Sequence, residues 1–203
     1  MNVLISLFLV PVNVTPTHVD IALMAQGENG SQRIIASDVV FSWDTSKLRF
    51  VGIDNTGGLP AILSTIPSGP EGDYTGINET VPPADGTGMY WWLGQLGTQI
   101  YVSDPVRLTT FKFEVVSPFA TTTVDLVPEL VVDYVGRTIV YGSNVGGTPV
   151  TGVISGCTIT NCPCDLSDDG YVDSQDLGMA LADWNEGTNI LLAEILGSWG
   201  PCN

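Results

Sequence analysis

The chain has 203 residues, with 6 Lys plus Arg against 22 Asp plus Glu and a formal net charge of −16. That inventory leaves no basic patch, so nucleic acid is excluded as a partner and an anionic membrane surface is disfavoured. Hydrophobic residues make up 44% and charged residues only 14%, which excludes a disordered acidic tail and supplies a real core.

The 23 Gly and 13 Pro punctuate the chain too often for long helices. Residues 1–12 are apolar, but the first basic residue is Arg33 and Pro11 interrupts the run, so a strand rather than a leader is expected there. No run reaches the ~18 apolar residues of a membrane span, and no membrane insertion is expected. Val3, Ile5, Leu7 and Leu9 alternate with Leu4, Ser6, Phe8 and Val10. Val19, Ile21 and Leu23 alternate with His18, Asp20 and Ala22, and Val39, Phe41 and Trp43 share a face opposite Val40 and Ser42. Further strands are expected at 48–53, 89–93, 99–102, 108–115, 124–126, 130–134, 138–141 and 150–154. Short period-2 runs bounded by Gly, Pro, Asn and Asp predict an antiparallel β-sandwich or jelly roll over residues 1–155. Residues 56–88, rich in Gly and Pro and polar, predict a long excursion over its surface, a candidate contact loop.

Residues 36–51 run Ala-Ser-Asp-Val-Val-Phe-Ser-Trp-Asp-Thr-Ser-Lys-Leu-Arg-Phe-Val, and residues 108–115 run Leu-Thr-Thr-Phe-Lys-Phe-Glu-Val. In order and spacing, this part of the chain resembles a cohesin domain, the receptor sandwich of cellulosome-type assemblies. The resemblance covers residues 1–155 and implies a protein-binding sandwich.

Residues 165–176 fit a twelve-residue calcium loop. Oxygen donors fall at positions 1 (Asp165), 3 (Ser167), 5 (Asp169), 9 (Asp173) and 12 (Asp176), with the Tyr171 carbonyl at 7 and Gly170 at the sharp turn. A hard cation that takes six to eight oxygens needs this alternation, and carboxylates so crowded repel without one. The preceding Asn161-Cys162-Pro163-Cys164 cannot form the entering helix of an EF-hand. After the loop, Leu177, Leu181 and Trp184 form one helical face, and Leu192, Leu196 and Trp199 repeat it at an offset of 15. A calcium loop with only an exiting helix, followed by a duplicate, resembles a dockerin over residues 162–203. Residues 185–189 are too short for a second loop, so one calcium is expected. In dockerins, loop positions 10 and 11 contact the cohesin; the resemblance gives that partner-binding role to Ser174 and Gln175.

The four cysteines, Cys157, Cys162, Cys164 and Cys202, flank this module and allow three pairings. Cys162–Cys164 is sterically poor. Cys164–Cys202 would close 38 residues, a constraint of about 4 kcal/mol in the chain-entropy account, with Cys157–Cys162 stapling the linker. A four-cysteine zinc site is the rival reading. No catalytic constellation emerges. His18 is the one histidine, no G-x-S-x-G or phosphate loop occurs, and Glu71 and Asp73 sit in a polar stretch without aromatics.

These observations converge on a mainly β chain: a cohesin-like sandwich, residues 1–155, and a dockerin-like calcium-loop and two-helix module, residues 156–203. The expected role is non-enzymatic: a calcium-stabilised assembly protein that binds a protein partner or itself in an extracellular or cell-surface array or filament. The alternative is a bacteriophage virion decoration or fibre protein that grips a capsid through the sandwich.

Overall fold

The computed structural model describes residues 4–15, 17–67, 86–95, 99–117, 119, 121–131, 135–142, 149–161, 164–167, 171–182 and 192–201. Alternation decides which way each strand faces. β1 (Ile5–Val14) turns Ile5, Leu7 and Leu9 inward, and β2 (His18–Gly27) does the same with Val19, Ile21 and Leu23. β3 (Gln32–Trp43) buries Val39, Phe41 and Trp43 in the same core. The sandwich continues through β4 (Leu48–Asp54), β5 (Ala61–Thr65), β6 (Thr87–Gly94), β7 (Ile100–Val102), β8 (Val106–Val115) and β9 (Thr121–Val127). A small hairpin of β10 (Glu129–Val131) and β11 (Val135–Arg137) follows, then β12 (Ile139–Gly142), β13 (Thr151–Ser155) and β14 (Cys157–Thr160).

Two sheets face each other. The first has the order β13-β1-β2-β8-β4 and the second β14-β9-β3-β6-β5. β3 is the spine of the second sheet. Along one edge it pairs with β7 and then β6; along the other it pairs with β12 and then β9. Where β12 gives way to β9, the Thr138 hydroxyl fills the break: it accepts the Val40 N–H at 3.0 Å and donates to the Val127 carbonyl at 2.6 Å. The core between the sheets is aromatic. Phe41 stacks on Phe111 of β8 with centroids 4.3 Å apart and on Trp43 at 5.6 Å. Phe50 and Tyr90 meet Phe111 edge-on, and Phe113 meets Trp43 and Phe50 edge-on. Gly88 is required beside this cluster, because a Cβ there would overlap the Phe41 ring.

Four expectations need correction. The 56–88 stretch is not all excursion: β5 lies within it and pairs with β6, while 68–85 fall outside the described residues. The expected strand at 130–134 is instead one arm of the β10–β11 hairpin, with 132–134 outside the described residues. The sandwich does not end at 155, since β14 pairs with β9 and carries the second sheet to Thr160. The first sheet is not wholly antiparallel either, because β13 lies parallel to β1. Glu28 holds that junction: its carboxylate accepts the Ser6 hydroxyl at 2.6 Å and the Val153 N–H at 2.8 Å, and both bonds draw its pKa down.

The tail has its own small core of Cys164, Val172, Ala180 and Ile195, with Leu166 and Leu177 packed against it. It contains β15 (Tyr171–Val172), α1 (Ser174–Ala182), α2 (Leu192–Gly197) and β16 (Gly200–Pro201), and β15 pairs with β16. Among the described residues, no helix is long and apolar enough to cross a membrane.

The aromatic core yields a stability test. Phe111→Ala should cost about 3–5 kcal/mol by urea denaturation, whereas Val153→Ala, at an exposed position, should stay within about 0.5 kcal/mol.

Candidate functional site

In the tail, one hydrogen-bonded chain brings four of the expected ligands together. Asp165 and Asp176 are buried, and Ser167 and Asp173 are half-buried. The Ser167 hydroxyl donates to Asp165 Oδ1 at 3.3 Å, and the Ser167 N–H donates to Asp176 Oδ1 at 2.8 Å. Asp176 Oδ2 accepts the Asp173 N–H at 2.7 Å, while Asp173 Oδ1 accepts the Gln175 N–H at 2.7 Å. The last two bonds form a capping box at the start of α1, with Asp173 as the N-cap and Asp176 three residues on. Burial pushes the Asp176 carboxyl up, but the N–H groups aimed at it outweigh that and leave its pKa below the usual value. Among the described residues, no group of three His, Cys, Asp or Glu side chains is gathered closely enough to hold a metal ion. Two carboxylates are thus spent on backbone N–H groups, and Asp169, the position-5 ligand, lies outside the described residues. Tyr171 has its backbone in β15 and its ring in solvent.

The donor set fits a hard cation in its chemistry. Every candidate ligand is oxygen, two of the carboxylates are buried, and residues 156–203 contain eight Asp plus Glu and no Lys, Arg or His to offset them. Ser174 and Gln175 are exposed on the first turn of α1. Cys157 and Cys164 are free thiols, and burial pushes the Cys157 thiol up to about 11. Cys162 and Cys202 lie outside the described residues.

The helical face expected from Leu177, Leu181 and Trp184 is rotated. α1 buries Asp176 and Ala180 and half-buries Leu177, so Leu181 points to solvent, and Trp184 lies outside the described residues. In α2, Ile195 is buried and Leu196 is exposed, with Trp199 exposed just beyond. The capping box and Val172 set the phase. They place residues 173, 176, 177 and 180 on one stripe, one residue away from the apolar repeat.

A second surface, which sequence reasoning missed, lies on the outward face of the second sheet. Cross-strand partners share a face, and the register sets Asp38 between Trp91 of β6 and Ile139 of β12. Ala36 lies between Leu93 and Tyr141, and Leu63 of β5 lies beyond Leu93. Leu63 and Trp91 are 39% and 37% exposed. Below them Val40 and Met89 are buried with Val127, and the Trp91 indole N–H points at Met89 Sδ. β5 is fastened from the inner side: Ser64 shares a 2.6 Å hydrogen bond with the Tyr90 hydroxyl and donates to Asn55 Oδ1, which also accepts from Thr109.

The Asp38 carboxylate makes no hydrogen bond or ion pair among the described residues, and burial raises its pKa. An unpaired carboxylate in an apolar frame costs stability and invites a donor from elsewhere. Nothing in the linear sequence couples Asp38 to Trp91, 53 residues away. The only signal was the Tyr90-Trp91-Trp92 run, in which alternation turns two rings inward and leaves Trp91 outside.

No protein-family model matches this sequence, and no curated protein is significantly similar to it. Solved structures do match in fold. The sixth cohesin of scaffoldin B from Acetivibrio cellulolyticus, solved in complex with a mutant Cel5 dockerin, is 15% identical. The match covers 79% of this chain and 99% of that one, with a TM-score of 0.50. CaCohA2 from Clostridium acetobutylicum is also 15% identical, over 78% of this chain and 91% of that one, with a TM-score of 0.51. A type II cohesin domain from the cellulosome of Acetivibrio cellulolyticus is 12% identical, over 81% and 97%, with a TM-score of 0.50. The strand scaffold is therefore a cohesin-like β-sandwich.

The raised Asp38 pKa has a defined pH signature. A carboxyl whose folded pKa lies above its ordinary 3.8 adds stability only in acid, and that stability is lost as pH rises through the folded value. Asp38→Asn should therefore stabilise the isolated protein at pH 7, with the gain shrinking to nothing below pH 3.8. Denaturant midpoints for both proteins across that range check it.

Proposed function

We propose that this chain is a non-enzymatic protein–protein association module that works in an extracellular or cell-surface assembly. Its cohesin-like sandwich docks a protein partner on the outward face of the second sheet, and its tail is stabilised by calcium. The observation that carries the reading is Asp38: a half-buried carboxylate with no partner among the described residues, framed by Trp91, Ile139 and Tyr141 beside exposed Leu63. A free surface gains nothing from such a group, whereas a docked partner that supplies an N–H, hydroxyl or ammonium satisfies it. The fold adds support, since one of its structural neighbours is a cohesin solved in complex with a dockerin.

In the tail, Asp165, Ser167, Asp169, Asp173 and Asp176 and the Tyr171 carbonyl are the proposed calcium ligands. The ion supplies the positive charge that residues 156–203 lack. Position 12 is Asp rather than Glu, one methylene shorter, so affinity is expected on the order of 10⁻⁶–10⁻³ M rather than nanomolar. At a thousandfold excess over the dissociation constant, linkage contributes about 4 kcal/mol, enough to decide whether a module of this size is folded. In an oxidising compartment, Cys164 pairs with Cys202 and Cys157 with Cys162, reinforcing the metal.

Two experiments test the reading. Affinity capture from the secreted fraction of the source organism, with wild-type and Trp91→Asp protein as bait, should retain a protein that the variant loses. That capture should weaken as pH falls through the raised Asp38 pKa, because protonation removes the acceptor charge. A set of captured proteins that ignores both changes overturns the docking face. For the tail, calorimetry should show one calcium per chain, abolished by Asp165→Ala. Chelation should melt the tail while the strands, like a chain ending at Thr160, stay folded by circular dichroism. No heat of calcium binding, or an unaltered isotherm in Asp165→Ala, removes the metal.

A further inference from the structure

The outward face of the second sheet is not flat at Asp38. β3 runs between β6 and β12, which lie about 10 Å apart at ~4.8 Å per strand. On that face β3 carries Ala36 and then Asp38, so the floor is a methyl group followed by a carboxylate. Larger side chains rise on both sides, Leu93 and Trp91 from β6 and Tyr141 and Ile139 from β12. The result is a slot, about 7 Å long from Ala36 to Asp38, with apolar and aromatic walls. Beyond Asp38, Val40 and Met89 close it, buried with Val127.

The walls restrict what the slot can take. The Trp91 indole N–H is committed to Met89 Sδ at 3.2 Å, so Trp91 gives an occupant a ring surface but no donor. Burial, and then the charge of Asp38, raise the Tyr141 pKa and keep its hydroxyl neutral. The other charge on β3, Arg33, lies five residues from Asp38. A neutral donor would leave an ionised Asp38 enclosed by apolar groups on docking, whereas a cation neutralises it. The occupant is therefore apolar and unbranched along its stem and positive at its end. Lysine fits: its four-carbon stem lies over Ala36, and the Asp38 and Tyr141 oxygens accept from its ammonium beside the Trp91 ring. The rigid five-donor fork of arginine would turn N–H groups against apolar walls.

This chain has no such group to spare. Residues 156–203 contain no Lys, Arg or His. Lys47 is paired with Asp44, Arg49 with Glu114, Lys112 with Asp20 and Arg137 with Glu129. Arg107 donates to the Thr56 carbonyl, and Arg33 shares a strand with Asp38. Resting on the docking role proposed above, we propose that the face reads a single lysine side chain of a different protein, laid over Ala36 with its ammonium on Asp38 between Trp91 and Tyr141. The net charge of −16 draws a basic partner toward the chain, and the slot selects where its lysine lands.

The test titrates two probes into the full chain at neutral pH: Nα-acetyl-lysine N-methylamide, and its norleucine counterpart, which keeps the stem and lacks the ammonium. The readout is the NMR resonance of the Trp91 indole N–H, assigned with Trp91→Phe. The lysine probe should shift it saturably, with a dissociation constant on the order of 10 mM and about tenfold tighter than norleucine. Asp38→Asn should bring lysine down to the norleucine level. Ala36→Leu fills the floor and keeps the charge, so it should abolish binding of both probes. Circular dichroism establishes that each variant keeps its fold. No saturable shift up to about 100 mM, equal affinity for the two probes, or unaltered lysine binding in either variant overturns the proposal. If the lysine probe fails while Trp91→Asp still releases a captured protein, the docking face stands and its partner presents another group. If both fail, the docking face falls as well.

Discussion

The stack of Phe41 on Phe111 is the contact through which the two sheets hold each other, and the rest of the sandwich takes its phase from it. Phe41 comes from the C-terminal part of β3 and Phe111 from the middle of β8, so the pair joins the spine of one sheet to an inner strand of the other. Because side chains alternate along a strand, turning Phe41 inward fixes Ala36, Asp38, Val40 and Ser42 as the outward set. A slip of one residue would put Asp38 into the core and Phe41 into water. The outward surface is thus a consequence of the core, and its composition follows from which residues the aromatic cluster excludes.

That surface is built against the stability of the isolated protein. Asp38 is held between Trp91 and Ile139, where burial disfavours its charge. The structure does not relax the position, because Asp38 sits in mid-strand with β6 on one side and β12 on the other. A group that lowers the stability of the free chain and gains a partner on docking is a common trade at interaction sites. The inner network of Ser64, Tyr90, Asn55 and Thr109 has the opposite character. Its hydroxyl and amide groups satisfy one another, and burial pushes the Tyr90 hydroxyl up to about 12. It holds β5 beside β6 and so keeps Leu63 at the rim of the docking surface.

In the tail, one set of carboxylates answers to two demands. Asp173 caps α1 by accepting the Gln175 N–H, Asp176 reaches back to the N–H groups of Asp173 and Ser167, and the same side chains occupy ligand positions in the acidic loop. The two roles are compatible in chemistry, because both place negative oxygen where positive charge is required. They compete for lone pairs, and a cation would draw these oxygens toward itself. Among the described residues the tail core is Cys164, Val172, Ala180 and Ile195, small enough for such a shift to matter.

Period-2 alternation in Ile5, Leu7 and Leu9, and again in Val39, Phe41 and Trp43, made the strands, their buried faces and the sandwich class legible from sequence alone. The spacing of Asp165, Ser167, Asp173 and Asp176 marked a loop whose polar side chains converge. These are local properties, carried by neighbours along the chain. What only the tertiary structure decided is non-local. The register of β3 against β6 and β12 sets Trp91 and Ile139 on either side of Asp38. The pairing of β14 with β9 extends the sandwich to Thr160, and the parallel seating of β13 on β1 brings the Val153 N–H and the Ser6 hydroxyl together on Glu28. The apolar repeat in the tail misled for a related reason. Periodicity locates a helix stripe but not which stripe is buried, and here the capping box turned Ala180 inward and left Leu181 and Leu196 facing water. Alternation is written in sequence because each strand carries its own pleat. Register is not, because it depends on the summed packing of strands that lie far apart in the chain.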